Sequence, residues 1–461
     1  MVQKQFWWFF KGFDVQNNKV WSRSFKDCDL EELVQSYPTP LYFTNGKRIE
    51  DKARLIKEAF AKNYRGLFDI HYAVKANYCP QILDLIALLG LGADVVSPNE
   101  AILAEQRGIP KHKIMFTGTS VSQDDLEQLV RVGKYKINID SQSQLKKLLE
   151  RRDAWKIHGL NLSIRLNPNV GAGHNPDVIT AGSKNESGVP IKFGIEQNKI
   201  VQTFIDAREY GFQPDTLHIH IGSGWLGYDI DQFKSALQNT LDVMNELENH
   251  DFTNLNLDIG GGPGIRYRES QESFPFDAYA NVVSETIGKS GAHINKLIVE
   301  PGRSLVGDST VLLTTVNTVE EKNGVLHAFT DASMGTLIRP KLYHAYHEII
   351  NVSNPNGPLR VYSVDGNVCE TGDTFTQDLP REIPEIREGD VLGILDTGAY
   401  SDVMSSSYCL RGRAHVVLEH KGKLVQCSNG VEDMKQIMDR FIIENRLEKS
   451  NSQQEGDGPS G

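Results

Sequence analysis

The chain has 461 residues, of which 39% are hydrophobic and 24% charged, a composition that excludes an intrinsically disordered chain. A formal net charge of −11 and a pI near 5.7 argue against a nucleic-acid-binding surface. No apolar run approaches the ~20 residues that a membrane span needs. We expect a cytoplasmic protein with two or three domains, or one α/β barrel with an appended domain.

Five cysteines are scattered along the chain without a C-x-x-C pair: Cys28, Cys79, Cys369, Cys409 and Cys427. This spacing predicts neither a zinc site nor a disulfide framework. Near the N-terminus, the aromatic run Phe6–Phe10 is too short for the apolar region of a signal peptide, and no small-residue cleavage site follows it.

From about Phe68 to Arg303, short apolar runs alternate with longer amphipathic stretches. The strand candidates are Phe68–Lys75, Gly92–Val96, Ile114–Gly118, Tyr135–Asp140, Asn161–Asn167, Thr216–Ser223, Asn256–Gly262 and Lys296–Gly302. Helix candidates between them begin near Pro, Ser or Asp: Pro80–Leu91, Pro98–Arg107, Asp124–Val130 and Ser141–Arg151. The alternation predicts a parallel sheet, and eight strands favour a closed TIM-like (β/α)8 barrel over the alternative, an open doubly wound sheet.

Beyond Arg303, strand candidates follow one another without long helices: Ser309–Val319, Val325–Thr330, Leu359–Asp365 and Val391–Leu395. Turns such as Asn323-Gly324 separate several of them, which indicates antiparallel pairing. We therefore predict an α/β barrel over residues 43–303 and a mostly antiparallel β-sandwich or barrel domain over residues 304–447. Residues 1–42 are expected to join this β domain, and residues 448–461 to form a disordered tail.

Lys75 closes the first strand candidate, at the position of the barrel mouth. Burial there lowers the pKa of an amine and suits a Schiff base with an aldehyde, whereas a plain surface lysine is the alternative. In the sixth run, His218 and His220 fall on one face if the strand continues to Ser223. No further ligand follows at metal-site spacing, so we expect no metal, and instead a flat His220 ring stacked on a flat cofactor.

The seventh and eighth runs end in groups that suit an anion and a ring nitrogen. Gly260, Gly261 and Gly262 let the backbone approach a phosphate, which barrels commonly bind at this place; a glycine-rich turn without a ligand is the alternative. The eighth run ends in Glu300-Pro301-Gly302-Arg303, where Glu300 and Arg303 could form a structural ion pair. Beside a lysine and a phosphate cradle, Glu300 could instead hold a proton on a pyridine nitrogen and make the ring an electron sink.

Five motifs in succession carry a family resemblance. Tyr-Ala-Val-Lys-Ala-Asn, His-Ile-Gly-Ser, Gly-Gly-Gly, Glu-Pro-Gly-Arg and Cys-Glu-Thr-Gly-Asp stand in the order found in fold-type III pyridoxal-phosphate-dependent decarboxylases, the group with the alanine-racemase-like barrel. Within that group, the chain is most similar to diaminopimelate decarboxylases and less similar to eukaryotic-type ornithine decarboxylases. The resemblance runs from about Thr39 to about Glu419.

The resemblance implies pyridoxal 5′-phosphate as the cofactor, bound covalently by Lys75 as a Schiff base. The other cofactor contacts that it implies are Asp94 steadying His220, His220 stacked on the ring, Arg165 near the ring, Glu300 on the pyridine nitrogen, and Ser223, Gly260–Gly262 and Tyr400 on the phosphate. It also implies a head-to-tail homodimer with shared active sites. In such a dimer Cys369 and Glu370 reach the partner's site, where Cys369 returns the proton to the substrate carbon.

Two arginines discriminate between substrates. Arg303 and Arg339, with Tyr343 nearby, suit a substrate that carries a second carboxylate, through bidentate pairing. Arg339 would repel a substrate that ends only in an ammonium group. Tyr400 and Glu370 complete the substrate contacts that the resemblance implies. The expected activity is that of a pyridoxal-phosphate-dependent carboxy-lyase, which converts meso-2,6-diaminopimelate into L-lysine and CO2.

The chain departs from the family pattern at positions around the expected substrate site. The departures are Gly224-Trp225 after His-Ile-Gly-Ser, Pro263, Thr371, the stretch Ser406–Cys409, and the insertion Ala181–Pro190. They keep open a related decarboxylase acting on D-ornithine or D-lysine, on carboxynorspermidine, or on a carrier-bound or citryl intermediate. A non-catalytic regulatory homologue would lack the lysine, the cysteine or the phosphate contacts, all of which are present. An amino-acid racemase would need a tyrosine base from the partner, and the Cys-Glu-Thr-Gly-Asp motif argues against it.

Overall fold

The computed structural model describes residues 6–23, 28–377, 379–428 and 430–439, so the tail predicted at 448–461 lies outside the described residues. The N-terminal elements are a 3-10 helix (Trp7–Lys11), β1 (Phe13–Gln16), β2 (Lys19–Ser22), α1 (Leu30–Ser36) and β3 (Leu41–Asn45). β1 and β2 form an antiparallel hairpin. α1 begins where the Asp29 side chain accepts the amide hydrogens of Glu31 and Glu32, which satisfies N–H groups that the first turn leaves free.

Strands and helices then alternate as the sequence predicts. In chain order they are α2 (Gly46–Asn63), β4 (Phe68–Ala73), α3 (Pro80–Leu88), β5 (Gly92–Val95), α4 (Pro98–Gln106), β6 (Ile114–Thr117), α5 (Gln123–Leu126), β7 (Lys136–Ile139), α6 (Gln142–Trp155), β8 (Asn161–Asn167), β9 (Ile195–Glu196), α7 (Gln197–Glu209), β10 (Gln213–His218), α8 (Ile230–Glu248), β11 (Leu255–Asp258), α9 (Phe276–Ser290) and β12 (Ile294–Val299). Local capping explains several starts: Ser97 and Ser141 accept amide hydrogens of the first turns of α4 and α6.

The parallel sheet closes on itself. Its strand order is β10-β11-β12-β4-β5-β6-β7-β8, and β10 also pairs in parallel with β8, so eight strands form a barrel. The two-residue strand β9 extends the β8 side. Closure confirms the predicted barrel and excludes the open sheet. The sixth strand ends earlier than predicted, at His218 and not at Ser223, because the chain leaves the sheet before the Gly222 turn.

The remaining elements build a sheet domain. In chain order they are α10 (Arg303–Val306), β13 (Thr310–Lys322), β14 (Val325–Thr330), α11 (Arg339–Tyr343), β15 (Ile349–Asn351), β16 (Leu359–Asp365), β17 (Arg381–Pro384), β18 (Val391–Ile394), β19 (His415–His420), β20 (Lys423–Ser428) and α12 (Gly430–Asp439). Most neighbours pair antiparallel, and β14–β16 and β3–β19 pair in parallel.

The N-terminal segment pairs and packs with strands of this sheet. β3 pairs with β13 and β19, and it runs to Asn45, past the predicted boundary at residue 42. Trp8 and Phe9 of the aromatic run are buried in a second apolar cluster with Val311 of β13. Lys11 is buried too, and its Nζ donates to the Asp396 carboxylate and to a backbone carbonyl of the barrel. The N-terminal segment is therefore a structural part of the domain junction.

Among the helices that the structure describes, none combines the length and the apolar character needed to cross a lipid bilayer.

Candidate active site at the carboxyl ends of the barrel strands

The predicted site residues follow four strands of one parallel barrel. Lys75 follows β4, His220 follows β10, the glycine turn Gly260–Gly262 follows β11, and Glu300 follows β12. The carboxyl ends of parallel strands lie at the same rim, where barrels carry their active sites. The fold thus brings together groups that are far apart in the sequence.

Lys75 forms an ion pair with Asp94 of β5. Lys75 Nζ donates to Asp94 Oδ2 at 2.6 Å, and the Asp94 carboxylate is fully buried. Burial alone would lower the pKa of Lys75, but the charges of Asp94, Tyr400 and Glu300 outweigh it and raise that pKa. The expectation that burial lowers the lysine pKa is therefore wrong, because the adjacent carboxylate stabilises the ammonium form.

The hydrogen-bond partner of Asp94 also differs from the predicted one. We expected it to steady His220, yet its Oδ2 accepts from Lys75 and its Oδ1 has no hydrogen-bond partner within the described part of the chain. Asp94 instead holds the proton of the lysine, and its own pKa is raised by burial and by Glu300. A group that takes this proton from Lys75 must therefore compete with the buried carboxylate of Asp94.

His220 is held as a neutral ring. The amide of Gly261 donates to His220 Nδ1 at 3.2 Å, so Nε2 carries the ring hydrogen. Burial, followed by the charges of Lys75 and Arg165, lowers the pKa of His220 well below its ordinary value. A neutral planar ring fixed by a backbone amide is suited to stacking on another flat ring.

His218 does not share a metal-binding face with His220, because β10 ends between them. Its Nδ1 lies 2.9 Å from the side-chain amide of Asn138, and its Nε2 lies 3.3 Å from Glu300 Oε2. His218, Asp258 and Glu300 form a buried group whose nearest polar atoms lie within 4.8 Å of one another. His218 is therefore a partner of Glu300.

Glu300 and Asp258 have opposite protonation states. Burial disfavours the Glu300 carboxylate, but the charges of His218, Lys75 and His220 prevail and lower its pKa to about 2. Burial and the neighbouring Glu300 raise the pKa of Asp258 well above its usual range. Glu300 Oε1 is buried without a hydrogen-bond partner among the described residues. The pair therefore offers one ionised carboxylate, that of Glu300, which is suited to a protonated ring nitrogen.

The glycine turn leaves no room for side chains. Gly260 and Gly262 have positive φ angles of 64° and 119°. A Cβ on Gly261 would lie 2.1 Å from the carbonyl oxygen of Glu300, and one on Gly262 would lie 2.0 Å from Trp225 Nε1. The turn is thus a backbone-lined cradle of the kind that binds phosphate.

Ser223 and Tyr400 lie next to this cradle. Gly224 N, directly after Ser223, donates to the carbonyl of Gly262 at 2.7 Å. Ser223 Oγ accepts from Arg303 Nη2 at 3.2 Å, and the Tyr400 ring lies 4.9 Å from the Arg303 guanidinium carbon. Ser223 and Tyr400 are therefore neighbours around Arg303, and the residue after Ser223 contacts the glycine turn.

One departure from the family pattern, Trp225, packs against the glycine turn. Trp225 is fully buried and stacks on Phe233, with a distance of 5.4 Å between ring centroids. Phe274 and Tyr279 complete an aromatic cluster around it. This substitution therefore lies in the packing beneath Gly262.

Two buried guanidinium groups lie side by side and form no ion pair with a carboxylate of the described residues. Arg303 is 4% exposed and Arg339 is 1% exposed. Both donate to the hydroxyl of Tyr267, at 2.8 and 3.3 Å, and Arg339 Nε donates to His347 Nε2 at 3.3 Å. Arg303 Nε and Arg339 Nη1 have no partner among the described residues. An uncompensated buried charge is costly, so this pair is suited to an anionic ligand.

Tyr267 was missed by sequence reasoning. It stands in Arg266-Tyr267-Arg268, shortly after the glycine turn, and only this proximity could have marked it. Its hydroxyl fixes both guanidinium groups, and its ring packs edge-on against His347. Tyr267 is therefore a positioning residue for the two arginines.

A loop at residues 171–182 adds His174, which sequence reasoning also missed. Its Nδ1 donates to the carbonyl of Ser223 at 2.9 Å, and its ring lies edge-on to Tyr343 at 6.5 Å. Burial and the charges of Arg303 and Arg339 lower the pKa of His174 to about 4. The loop thus adds a neutral imidazole beside Tyr343.

The predicted insertion follows this loop and forms a small hairpin. Asn185 N donates to the carbonyl of Val189, and Lys184 and Pro190 form an isolated antiparallel bridge. After the hairpin, the Phe193 ring lies 4.9 Å from the guanidinium carbon of Arg165. Arg165 Nη1 also donates to the Asp140 carboxylate.

Cys369 and Glu370 lie outside the group of site residues at the barrel rim. Both are exposed, on a loop between β16 and β17 that lies against Lys341 of α11. The Glu370 side chain is hydrogen-bonded with Tyr408. In the described part of the chain, the contacts of these two residues do not include Lys75 or Glu300, so their predicted roles stay predictions.

Comparisons with known proteins show the family of the chain. Residues 47–307 match the family model described as pyridoxal-dependent decarboxylase, pyridoxal binding domain. The chain is 36% identical over 419 residues to the diaminopimelate decarboxylase of Methanothermobacter thermautotrophicus, covering 89% of this chain and 94% of that protein. It is 34% identical over 397 residues to that of Aquifex aeolicus, covering 86% and 90%. The crystal structure of diaminopimelate decarboxylase from Helicobacter pylori complexed with L-lysine matches with a TM-score of 0.81 and 30% identity, covering 89% of this chain and 99% of that one.

Proposed function

Since the chain belongs to the family of pyridoxal-dependent decarboxylases, we propose that it decarboxylates meso-2,6-diaminopimelate to L-lysine and CO2. It is a carboxy-lyase that uses pyridoxal 5′-phosphate. The names of its relatives support the substrate. The observation that carries the proposal is the pair of buried guanidinium groups, Arg303 and Arg339, whose hydrogen bonds within the described residues all go to neutral groups.

The residues at the barrel rim fit the cofactor. Glu300 is an ionised carboxylate, the turn at Gly260–Gly262 is a cradle without side chains, and Lys75 supplies an amine that pairs with buried Asp94. When bound, pyridoxal phosphate supplies an electron sink for the electron pair that the departing CO2 leaves behind. His220, a neutral ring, is placed to stack on it.

Side chains of the protein carry out the remaining steps. Glu300 holds a proton at the ring nitrogen, because its pKa keeps it ionised and His218 fixes its second oxygen. Arg303 and Arg339 bind the distal carboxylate and orient the substrate, and Tyr267 holds both guanidinium groups in place. Asp94 accepts and returns the proton of Lys75.

The substrate is tested by the release of CO2 from meso-diaminopimelate, both enantiomers of ornithine and lysine, and carboxynorspermidine. We expect meso-diaminopimelate to be the best substrate. Arg339→Ala should lower its kcat/KM by about 100-fold or more, because a charge-assisted contact with the carboxylate is worth about 3 kcal/mol. The same change should affect slow turnover of simple diamino acids by less than about threefold.

Arg360→Ala is the matched control, because Arg360 is an exposed arginine of β16 that pairs with Glu385. It should leave the whole panel unchanged. Equal losses in Arg339→Ala on dicarboxylate and simple diamino acids would contradict the proposed substrate, and a different preferred substrate would favour one of the related decarboxylases.

We further propose a cytoplasmic head-to-tail homodimer without nucleic-acid or membrane partners. What supports the dimer is a set of exposed leucines on the sheet domain: Leu342, Leu379 and Leu410 are 47%, 75% and 56% exposed. Exposed Cys369 and Glu370 lie on a loop that also contacts α11, the helix of Leu342. Large apolar side chains exposed on this domain are suited to contact with a second subunit. In the dimer, the partner subunit's Cys369 returns the proton to the substrate carbon.

Subunit complementation tests the shared site. Lys75→Ala and Cys369→Ala should each be nearly inactive, whereas a doubly tagged heterodimer of the two should recover about half of the wild-type kcat, because one of its two sites is intact. Activity is measured on the purified heterodimer, with the two mutant homodimers as controls. An inactive heterodimer, or a monomer in sedimentation velocity, would overturn this arrangement.

A further inference from the structure

Lys11 is a buried lysine that joins two distant parts of the chain. It is the last residue of the 3-10 helix Trp7–Lys11 and is 2% exposed. Its Nζ donates to the carbonyl of Arg266 at 3.0 Å and to the Asp396 carboxylate. A buried ammonium group is costly unless it is paired and hydrogen-bonded, so Lys11 holds both partners close to it.

The first partner, Arg266, directly precedes Tyr267. The hydroxyl of Tyr267 accepts from Arg303 at 2.8 Å and from Arg339 at 3.3 Å. The carbonyl of Arg266 belongs to the peptide bond that leads into Tyr267, so Lys11 fixes the backbone at the base of this side chain. This contact is therefore one residue away from the side chain that orients both guanidinium groups.

The second partner, Asp396, directly follows Leu395, whose carbonyl fixes His347. His347 Nδ1 donates to that carbonyl at 2.8 Å, and His347 Nε2 accepts from Arg339 Nε at 3.3 Å. Burial and the charge of Arg339 lower the pKa of His347 well below its ordinary value, so the ring stays neutral and keeps a lone pair for Arg339. The second contact of Lys11 is therefore also one residue away from a group that orients Arg339.

The aromatic run near the N-terminus sets Lys11 against this part of the chain. Lys11 Nζ lies 4.7 Å from the centroid of the Trp7 ring. The guanidinium carbon of Arg266 lies 5.2 Å from the Trp7 ring and 5.0 Å from the Phe10 ring. Cations at such distances from aromatic rings are attracted to them. The aromatic extension thus holds Lys11 and the segment before Tyr267 together.

We propose that Lys11 is a positioning residue for the substrate, which ties together two backbone segments that orient Arg303 and Arg339. This inference rests on the proposed function, because it takes the distal carboxylate of the substrate as the ligand of the two arginines. Lys11 acts through Tyr267 and His347, and it restricts the orientations of the guanidinium groups before the substrate binds. Binding groups that are oriented in advance lose less freedom on binding, which strengthens the binding of a dicarboxylate.

The test compares Lys11→Met with the wild type, both as full-length, cofactor-supplemented enzymes that release CO2 from meso-diaminopimelate. Methionine keeps the length of the side chain and removes the ammonium group. KM should rise about tenfold while kcat changes by less than about threefold, because the arginines bind the carboxylate before and during the reaction. The absorbance of the bound cofactor should equal that of the wild type, since the described contacts of Lys11 do not include Lys75 or Glu300.

Lys19→Met is the matched control for a purely structural effect. Lys19 also belongs to the N-terminal segment and pairs with a buried aspartate, Asp29. This variant should lower the thermal midpoint, as Lys11→Met does, but leave KM for meso-diaminopimelate unchanged.

A second comparison places Lys11→Met in the Arg339→Ala background. There its effect on kcat/KM should shrink from about tenfold to less than about threefold, because the guanidinium group that both segments orient is already gone. A full tenfold loss in this background would overturn the inference, since Lys11 would then act on the fold as a whole and not through Arg339.

The outcomes for the wild type and for Lys11→Met separate this inference from the proposed function. A wild type that prefers meso-diaminopimelate, together with an unchanged KM in Lys11→Met, would overturn the inference alone. A wild type without that preference would overturn the proposed function and the inference with it. Should Lys11→Met fail to fold because Asp396 is left buried without a cation, Lys11→Met combined with Asp396→Asn removes both charges. The same KM then decides the matter.

Discussion

Replacing Lys75 by alanine should lower kcat by about 1,000-fold or more and abolish the long-wavelength absorbance of the covalently held cofactor. Lys75 is the amine at the barrel rim that pairs with buried Asp94 and lies within the field of Glu300. Its loss removes the covalent attachment and leaves the Asp94 carboxylate buried without a cation. The measurements are an absorbance spectrum of the cofactor-supplemented protein and single-turnover release of CO2.

Lys296→Ala is the control for this change. Lys296 also belongs to a barrel strand and pairs with an aspartate, Asp69, at 3.0 Å, but it does so near the opposite ends of β12 and β4. It should keep the absorbance band and the wild-type kcat. A band that persists in Lys75→Ala, with CO2 release intact, would refute the assignment of the attachment site.

Replacing Glu300 by glutamine should lower kcat by about 100- to 10,000-fold while the protein still binds its cofactor. The amide keeps the shape of the side chain but removes the charge that holds a proton on the ring nitrogen. The pKa of Glu300 is lowered to about 2, because the charges of His218, Lys75 and His220 outweigh burial. The ionised form is present above that pKa and is lost only as the pH falls through it.

The pH profile therefore provides a second readout for Glu300. Between roughly pH 5 and 9, protonation of this carboxylate should add no acid limb to kcat, and the deficit of Glu300→Gln should be constant across the range. Asp258→Asn is the matched control, because the raised pKa of Asp258 keeps this neighbour neutral already. It should cost less than about tenfold in kcat. A loss as large as that of Glu300→Gln would show that the negative charge is shared differently between the two acids.

Local patterns in the sequence were enough to predict the eight barrel strands and the four strand ends that are followed by the proposed site residues. Apolar runs, proline and serine at helix starts, and consecutive glycines act within a few residues, so each can be read without knowing the fold. The same local reasoning extended β10 too far, because Ile219 and Ile221 continue the apolar alternation beyond the point where the backbone leaves the sheet. It therefore placed His218 and His220 on one strand face.

Contacts between distant segments required the tertiary structure. The pairing of Lys75 with Asp94 and the hydroxyl of Tyr267 between two arginines each join residues that no local pattern connects. Their protonation states depend on burial and on which charges become neighbours, as the raised pKa of Lys75 shows. The sequence by itself determined which groups stand at the ends of the strands. Only folding decided which charges face one another, because electrostatic interactions depend on distances and on exclusion of water that the closed barrel and the attached sheet domain create.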